Sequence, residues 1–149
     1  MPQFKGAAAF AVALLCLLPA AVARADIVVT VDKATQRMTV VVDGEHRYTW
    51  PVSTGLGNTP SGSYRPYILS RNHRSSIFGN APMPFAIFYS GHYAIHGTTA
   101  VSQLGARASK GCVRLHPSNA AVLFALVQKI GPANTRILVQ DSVTRVARR

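Results

Sequence analysis

Residues 93–115 read YAIHGTTAVSQLGARASKGCVRL, and this stretch holds the two side chains with the most evident chemistry in the chain. Its first part is an apolar strand pattern that ends in His96 and is followed at once by Gly97. Residues 98–110 are small, polar and irregular, which is typical of a flap. Cys112 follows sixteen positions after the histidine. We expect the two side chains to meet across the flap, because a base must reach the thiol that it deprotonates.

The chain ahead of this stretch predicts a β-meander. Residues 27–31 and 38–42 are runs of β-branched side chains, and the Asp-Gly pair at 43–44 predicts a tight turn into a third strand at 46–50. Residues 53–63 are rich in glycine, serine and threonine, which indicates an ordered loop within a domain.

The middle of the chain predicts three strands. A long excursion, meaning a segment with no strand or helix pattern, separates the first strand from the second. Residues 64–69 favour a further strand, whereas residues 70–84 lack hydrophobic periodicity and predict the excursion. Residues 85–89 favour a strand that connects to the one at 93–96 through three residues.

The last third predicts one helix and one strand. Pro117 suits the first turn of a helix, Gly131 and Pro132 end it, and residues 135–140 favour a final strand. Many strands with one late helix predict a mainly β fold, β-sandwich-like, in a single domain over residues 26–149.

The charge distribution argues against several function classes. Sixteen Lys plus Arg against five Asp plus Glu give the 149-residue chain a formal net charge of +11, and no acid lies between positions 46 and 140. A paired-carboxylate glycosidase or a carboxylate-built Mg²⁺ or Ca²⁺ site needs acids there.

His92 and His96 have the spacing of helical zinc ligands but lie in a strand pattern with no glutamate between them. No metal and no cofactor is therefore expected.

The first 25 residues have the pattern of a secretory signal peptide. Lys5 precedes an apolar run at 7–18, Pro19 breaks the run, and small residues predict cleavage after Ala25 or after Ala23. A run of twelve residues is shorter than the ~20 that span a bilayer, although an uncleaved anchor is the alternative. Cleavage predicts a periplasmic or wall-exported protein of charge +9, with no stable membrane insertion and no access to nucleic acid.

Cleavage would leave Cys112 as the single cysteine, so its thiol is either buried and inert or kept for its reactivity. Four basic or titratable side chains lie within five positions of Cys112. They favour its thiolate, which is the nucleophilic form. Gly111 lets the backbone bend, and two successive backbone N–H groups there are suited to an oxyanion. The four side chains are Arg107, Lys110, Arg114 and His116.

Four motifs together resemble the L,D-transpeptidase catalytic domain (YkuD-type). They are IHGT at 95–98, S-x-GCVRL at 109–115, the Thr-Pro-x-Gly loop at 59–62, and Met-Pro-aromatic at 83–85. They occur in the family's order, and the resemblance covers roughly residues 27–139, nearly all of the mature chain. The resemblance implies a β-sandwich-like fold and a thiol-based exchange on the stem peptides of bacterial peptidoglycan.

The resemblance also implies roles for individual residues. Cys112 would be the nucleophile and His96 its base, with the carbonyl of Gly97 orienting the imidazole. Backbone N–H groups of Gly111 and Cys112 would line the oxyanion hole. Arg114 would bind a substrate carboxylate, which suits its bidentate fork, with Ser109 beside it at the substrate site.

One position departs from the family pattern, and several activities stay open. Many members read Ser-His-Gly-Cys, whereas Lys110 stands here in place of the histidine and cannot act as a neutral imidazole. The acyl acceptor could be a stem peptide, a lipoprotein lysine, a free D-amino acid or water. With water the same site makes an L,D-carboxypeptidase or amidase-like hydrolase, and with a vestigial Cys112 the chain is a basic wall-binding module.

Overall fold

The computed structural model describes residue 2 and residues 26–142. The predicted signal peptide, with both of its cleavage positions, lies outside the described residues except for residue 2. Residues 143–149 lie outside them as well. No helix within the described part is long and apolar enough to cross a membrane.

Within residues 26–142 the chain forms nine strands in two sheets and one α-helix. In chain order the elements are β1 (Ile27–Asp32), β2 (Arg37–Val42), β3 (Glu45–Pro51), β4 (Gly62–Tyr64), β5 (Ile68–Arg74), β6 (Pro82–Ser90), β7 (Tyr93–Gly97), β8 (Val113–Leu115), α1 (Pro117–Ile130) and β9 (Thr135–Gln140). The five-stranded sheet has the order β3-β2-β1-β9-β4, and the four-stranded sheet has the order β5-β6-β7-β8. The prediction of a mainly β fold with one late helix is confirmed.

The meander, the helix and the last strand occur where the sequence predicts them. Strands β1, β2 and β3 are antiparallel neighbours, and Asp43 has the positive φ of 52° that a tight turn needs. Helix α1 begins at Pro117, and Gly131, with a φ of 105°, follows its last residue. Strand β9, the last of the described strands, pairs in parallel with β1, the first.

The prediction for residues 64–84 is wrong in two respects. The strand predicted at 64–69 is two strands in different sheets, β4 and β5, and β5 continues to Arg74. The predicted excursion at 70–84 is therefore only the loop at 75–81, after which β6 begins at Pro82, ahead of the predicted strand start at 85. Strand β5 lies at a sheet edge and most of its side chains are exposed or half-buried, so it needs no apolar alternation.

The main core lies between the two sheets and the buried face of α1. Alternate residues of β1, such as Val29 and Val31, point into it and are fully buried. From the other side Ile95, Leu115 and Leu123 fill the space. Dense packing in this core holds the strands of the second sheet in fixed positions.

Two of these strands, β7 and β8, carry the candidate chemistry. Strand β7 is interior, because β6 and β8 pair with it on either side. His96 lies near its carboxyl end. Since neighbouring residues of a strand point to opposite faces, Ile95 enters the main core while Ala94 and His96 face away from it.

Candidate active site

A cavity of about 290 Å³ lies against this outer face of the second sheet. His96, Cys112 and Arg114 all line it, as does Lys110. The rest of the lining comes from the loop before β6, the start of β6 and the flap: Ser75, Phe78, Ala81, Pro82, Met83, Thr98, Thr99 and Ala100. Four side chains that the sequence singled out therefore share one concave site.

His96 is held in one tautomer by its own strand. It is 6% exposed, and its Nδ1 lies 2.7 Å from the carbonyl oxygen of Gly97. Because the carbonyl can only accept, Nδ1 carries the proton and donates it there, which leaves the lone pair on Nε2. Burial lowers the pKa of His96 to about 4, further lowered by the charges of Arg114 and His73 and only partly offset by the bond to Gly97. The imidazole is therefore neutral at pH 7.

Cys112 lies immediately before β8, diagonally across from His96 on the same face. The parallel register pairs Val113 with Ile95 and Arg114 with His96, so Cys112 falls level with Ala94. Its Sγ is 3.8 Å from the carbonyl oxygen of His92, to which the thiol donates a weak hydrogen bond. The cysteine and histidine thus face the same cavity at a spacing of two strand positions.

The expectation that cationic neighbours keep this thiol ionised is wrong. Burial raises the pKa of Cys112, and the N–H of Ala94 and the charge of Arg114 only oppose that effect. Two of the other expected cations are engaged elsewhere: Arg107 pairs with Asp141 at 3.3 Å, and His116 caps helix α1 by accepting the N–H of Ser118. The thiol therefore needs a base.

A tight turn presents Cys112, and the Ser109 hydroxyl closes it. Its Oγ donates to the Cys112 carbonyl at 2.5 Å and accepts the Gly111 N–H at 3.1 Å. Gly111 has a φ of 127°, and a Cβ there would lie 2.7 Å from the ring of Tyr93, so the position requires glycine. In this arrangement the Gly111 N–H is engaged within the turn, unlike the free donor that an oxyanion hole requires.

The loop before β4 holds the same turn through hydrogen bonds, a role that the sequence did not predict. Thr59 is fully buried, and its Oγ1 donates to the Gly111 carbonyl at 2.8 Å while it accepts the Gly55 N–H at 2.8 Å. Asn58 donates from Nδ2 to the Lys110 carbonyl at 2.9 Å. The Thr-Pro-x-Gly motif was the available signal, but nothing in its sequence tells that its threonine reaches a residue 52 positions away.

Arg114 extends from β8 into the cavity, and one of its guanidinium N–H groups donates a hydrogen bond within the described residues. Its guanidinium donates to the Gln103 side chain at 3.2 Å, and its backbone bonds both ways to Ser53, at 2.9 and 3.0 Å. The pairing with Ser53 fixes the backbone of Arg114, and its guanidinium faces the cavity. No group of three potential metal-ligating side chains lies together within residues 26–142.

Comparison with known proteins agrees with this geometry. The family profile described as the YkuD L,D-transpeptidase catalytic domain matches residues 26–143. A Bacillus subtilis protein named as an L,D-transpeptidase, YkuD, is 28% identical over 117 residues, covering 74% of this chain and 64% of that protein. The chain thus spans less than two thirds of that relative.

Solved structures show the same architecture. An L,D-transpeptidase from Mycobacterium smegmatis has a TM-score of 0.68 and 25% identity, over 78% of this chain and 59% of that chain. The LD transpeptidase LdtMt1, solved in complex with imipenem, has a TM-score of 0.69 at 23% identity, again over 78% and 59%, which is a likeness of fold alone. With a family profile matched over its whole described domain, the chain belongs to the YkuD family of L,D-transpeptidase catalytic domains.

Proposed function

We propose that this chain is an exported L,D-transpeptidase that acts on peptidoglycan stem peptides through an acyl-Cys112 thioester. The observation that carries the proposal is that Cys112, His96 and Arg114 line one cavity in a member of this family. The predicted signal peptide supports export, and a mature charge of +9 favours encounter with a polyanionic wall.

In the proposed first step Sγ of Cys112 attacks the carbonyl carbon of diaminopimelate, in the peptide bond that joins it to the next residue of the stem peptide. The thiol proton passes to Nε2 of His96, the lone-pair nitrogen that the bond from Nδ1 to Gly97 leaves free. His96 then protonates the departing amine as the peptide bond breaks, and a thioester remains. Attack by an acceptor amine on the thioester completes the transfer and frees Cys112.

Two backbone N–H groups and the Arg114 side chain are assigned supporting tasks. The Cys112 N–H would donate to the developing oxyanion, and the Gly111 N–H would join it only once the Ser109 hydroxyl turns aside to the substrate. Arg114, whose guanidinium has one side-chain bond to Gln103, would bind a substrate carboxylate with its remaining donors. Acceptors in this scheme are the amine of a second stem peptide or a lysine of a wall-linked lipoprotein.

The test is to incubate the purified full-length chain with defined tetrapeptide muropeptides and identify products by mass spectrometry. Cross-linked dimers that disappear in Cys112→Ser would support the proposal. Tripeptides alone would identify a carboxypeptidase that uses water. Absence of all products, with unchanged binding to sacculi in wild type and Cys112→Ser, would indicate a non-catalytic wall-binding module.

A further inference from the structure

Lys110 is the residue at which this chain departs from the family pattern, and the structure gives it a definite place. Its Nζ lies over the ring of Phe78, 4.7 Å from the centroid, and both residues line the cavity that contains Cys112. The ammonium group is therefore drawn to the cavity wall at the loop 75–81.

The cavity has an unbalanced charge. Arg114 and Lys110 both line it, whereas no aspartate or glutamate does. Asp141, the acid that a flap residue contacts, pairs with Arg107 and Lys33 at 3.3 Å each and directly follows β9, outside the cavity lining. Two cations without a counterion, in an otherwise mainly apolar cavity, suit a substrate with two separate negative groups.

The two cations lie at different depths. Arg114 is half-buried beside His96, its partner in the strand register, whereas Lys110 is exposed at the outer end of the turn. In the proposed donor peptide the two residues that flank the scissile bond each have a carboxylate, and the two carboxylates lie at different distances from that bond. One is on the leaving D-amino acid, and the other is at the end of the long diaminopimelate side chain.

We propose that Lys110, held against Phe78, is a specificity residue that binds the side-chain carboxylate of diaminopimelate, while Arg114 binds the carboxylate nearer the scissile bond. This inference rests on the proposed function and names its donor more narrowly. Amidation of the side-chain carboxylate removes its charge but leaves the neighbouring ammonium, which Lys110 then repels. The site therefore selects donors with a free carboxylate over amidated ones.

The experiment compares two donor muropeptides that differ only in amidation of the diaminopimelate side-chain carboxylate. With the full-length chain we expect kcat/KM to favour the free acid by ~10-fold or more, the usual size of one charge-assisted contact. Lys110→Met should bring the ratio close to one, and Lys110→Arg should restore most of it. Phe78→Leu keeps apolar bulk but removes the ring, and should weaken the preference.

Two controls separate specificity from other roles of Lys110. Arg107→Met removes a cation of the same flap that pairs with Asp141 outside the cavity, and should leave the ratio unchanged. Alkylation of Cys112 by neutral iodoacetamide, followed by peptide mass spectrometry, should proceed equally in wild type and Lys110→Met. A slower reaction in the variant would show that Lys110 acts on the thiol, and would overturn the inference.

The remaining outcomes are also decisive. Equal turnover of both donors by the wild type would overturn the inference and leave the proposed function standing. Turnover of neither donor would contradict the proposed function itself. A Lys110→Met variant that loses activity equally on both donors, with its ratio unchanged, would show that Lys110 does not read this carboxylate.

Discussion

At the scale of single residues, the site combines a thiol that resists ionisation with an imidazole that resists protonation. Burial raises the pKa of Cys112 and lowers that of His96 to about 4. A resting thiolate–imidazolium pair is therefore disfavoured, and the free protein holds both groups neutral at pH 7. In the proposed mechanism, proton transfer would therefore accompany substrate attack, when the developing charges gain partners in the cavity.

Replacement of His96 by glutamine tests whether His96 is the base. Glutamine keeps a polar side chain of similar size but accepts no proton at neutral pH, so we expect carbapenem acylation of Cys112 to slow by ~10²-fold or more. Higher pH should recover part of the loss, because hydroxide then supplies thiolate. The measurement is intact-mass labelling against pH from 6 to 9, and the expected susceptibility follows from the family resemblance.

The matched control is His116→Gln, since His116 caps α1 and does not line the cavity. It should acylate at nearly the wild-type rate. Equal rates for wild type and His96→Gln across the pH range would show that His96 is not the base. Binding to sacculi should be the same in all three proteins, because neither imidazole carries the basic surface charge.

Replacement of Arg114 by lysine tests the carboxylate clamp. Lysine keeps the charge but loses the bidentate fork, which costs ~1.5–3 kcal/mol for a charge-assisted bond, so turnover should fall by ~10-fold or more. The melting temperature should barely move, because the structural bonds of Arg114 to Ser53 are made by its backbone. A large drop in melting temperature with little change in KM would instead identify a structural arginine.

At the scale of elements, the turn that presents Cys112 is held by two parts of the stretch between β3 and β4. The segment after β3 pairs with it through bridges from Ser53 to Arg114 and from Gly55 to Ser109. The loop before β4 adds the Thr59 and Asn58 bonds. Because carbonyls of the turn are thereby fixed, the peptide planes beside Cys112 have little freedom.

Thr59→Val tests this clamp, because valine has nearly the same shape without the hydroxyl. The change leaves the N–H of Gly55 and the carbonyl of Gly111 without their partner, so we expect a loss of ~1–3 kcal/mol in the free energy of unfolding. Acylation of Cys112 should slow as the turn loosens. Urea unfolding and carbapenem labelling measure the two effects.

Thr49→Val is the control for this substitution. Thr49 is exposed on β3, and its hydroxyl bonds only the exposed His46 side chain among the described residues. It should change the unfolding free energy by less than ~0.5 kcal/mol. If Thr59→Val were as mild as Thr49→Val in both measurements, the clamp would have no energetic role.

At the scale of the whole molecule, the buried neutral His96 makes folding stability depend on pH. Unfolding exposes the imidazole and returns its pKa from about 4 to its ordinary 6.5. Between those values the unfolded chain binds more protons than the folded one, so stability rises with pH in that window and is lost as pH falls through it. The contribution present above pH 6.5 is about 3 kcal/mol at most.

The measurement is urea unfolding of wild type and His96→Gln between pH 4 and 7. The difference between their unfolding free energies should grow with pH up to about 6.5 and then level off. Groups that titrate in both proteins cancel when this difference is taken. A difference that stays constant across this window would show that His96 is not held neutral by the fold.

The sequence alone was sufficient for those elements that rest on local patterns. The meander, the strand at 135–140 and the helix from Pro117 follow from β-branched runs, a tight Asp-Gly turn and helix end signals, all of which act over a few residues. The motifs at His96 and Cys112 likewise indicated the family. These signals are local, so no tertiary contact was needed to recognise them.

Three features could be seen only in the tertiary structure: the edge strand β5, the hydrogen bonds of Thr59 to the Cys112 turn, and the pKa shifts of Cys112 and His96. An edge strand carries little hydrophobic alternation, and Thr59 reaches its partner across 52 positions. The pKa of Cys112 was expected from cations close in sequence, but Arg107 and His116 turn to other partners while burial acts on the thiol. Desolvation and side-chain direction depend on packing from all sides, which no stretch of sequence contains by itself.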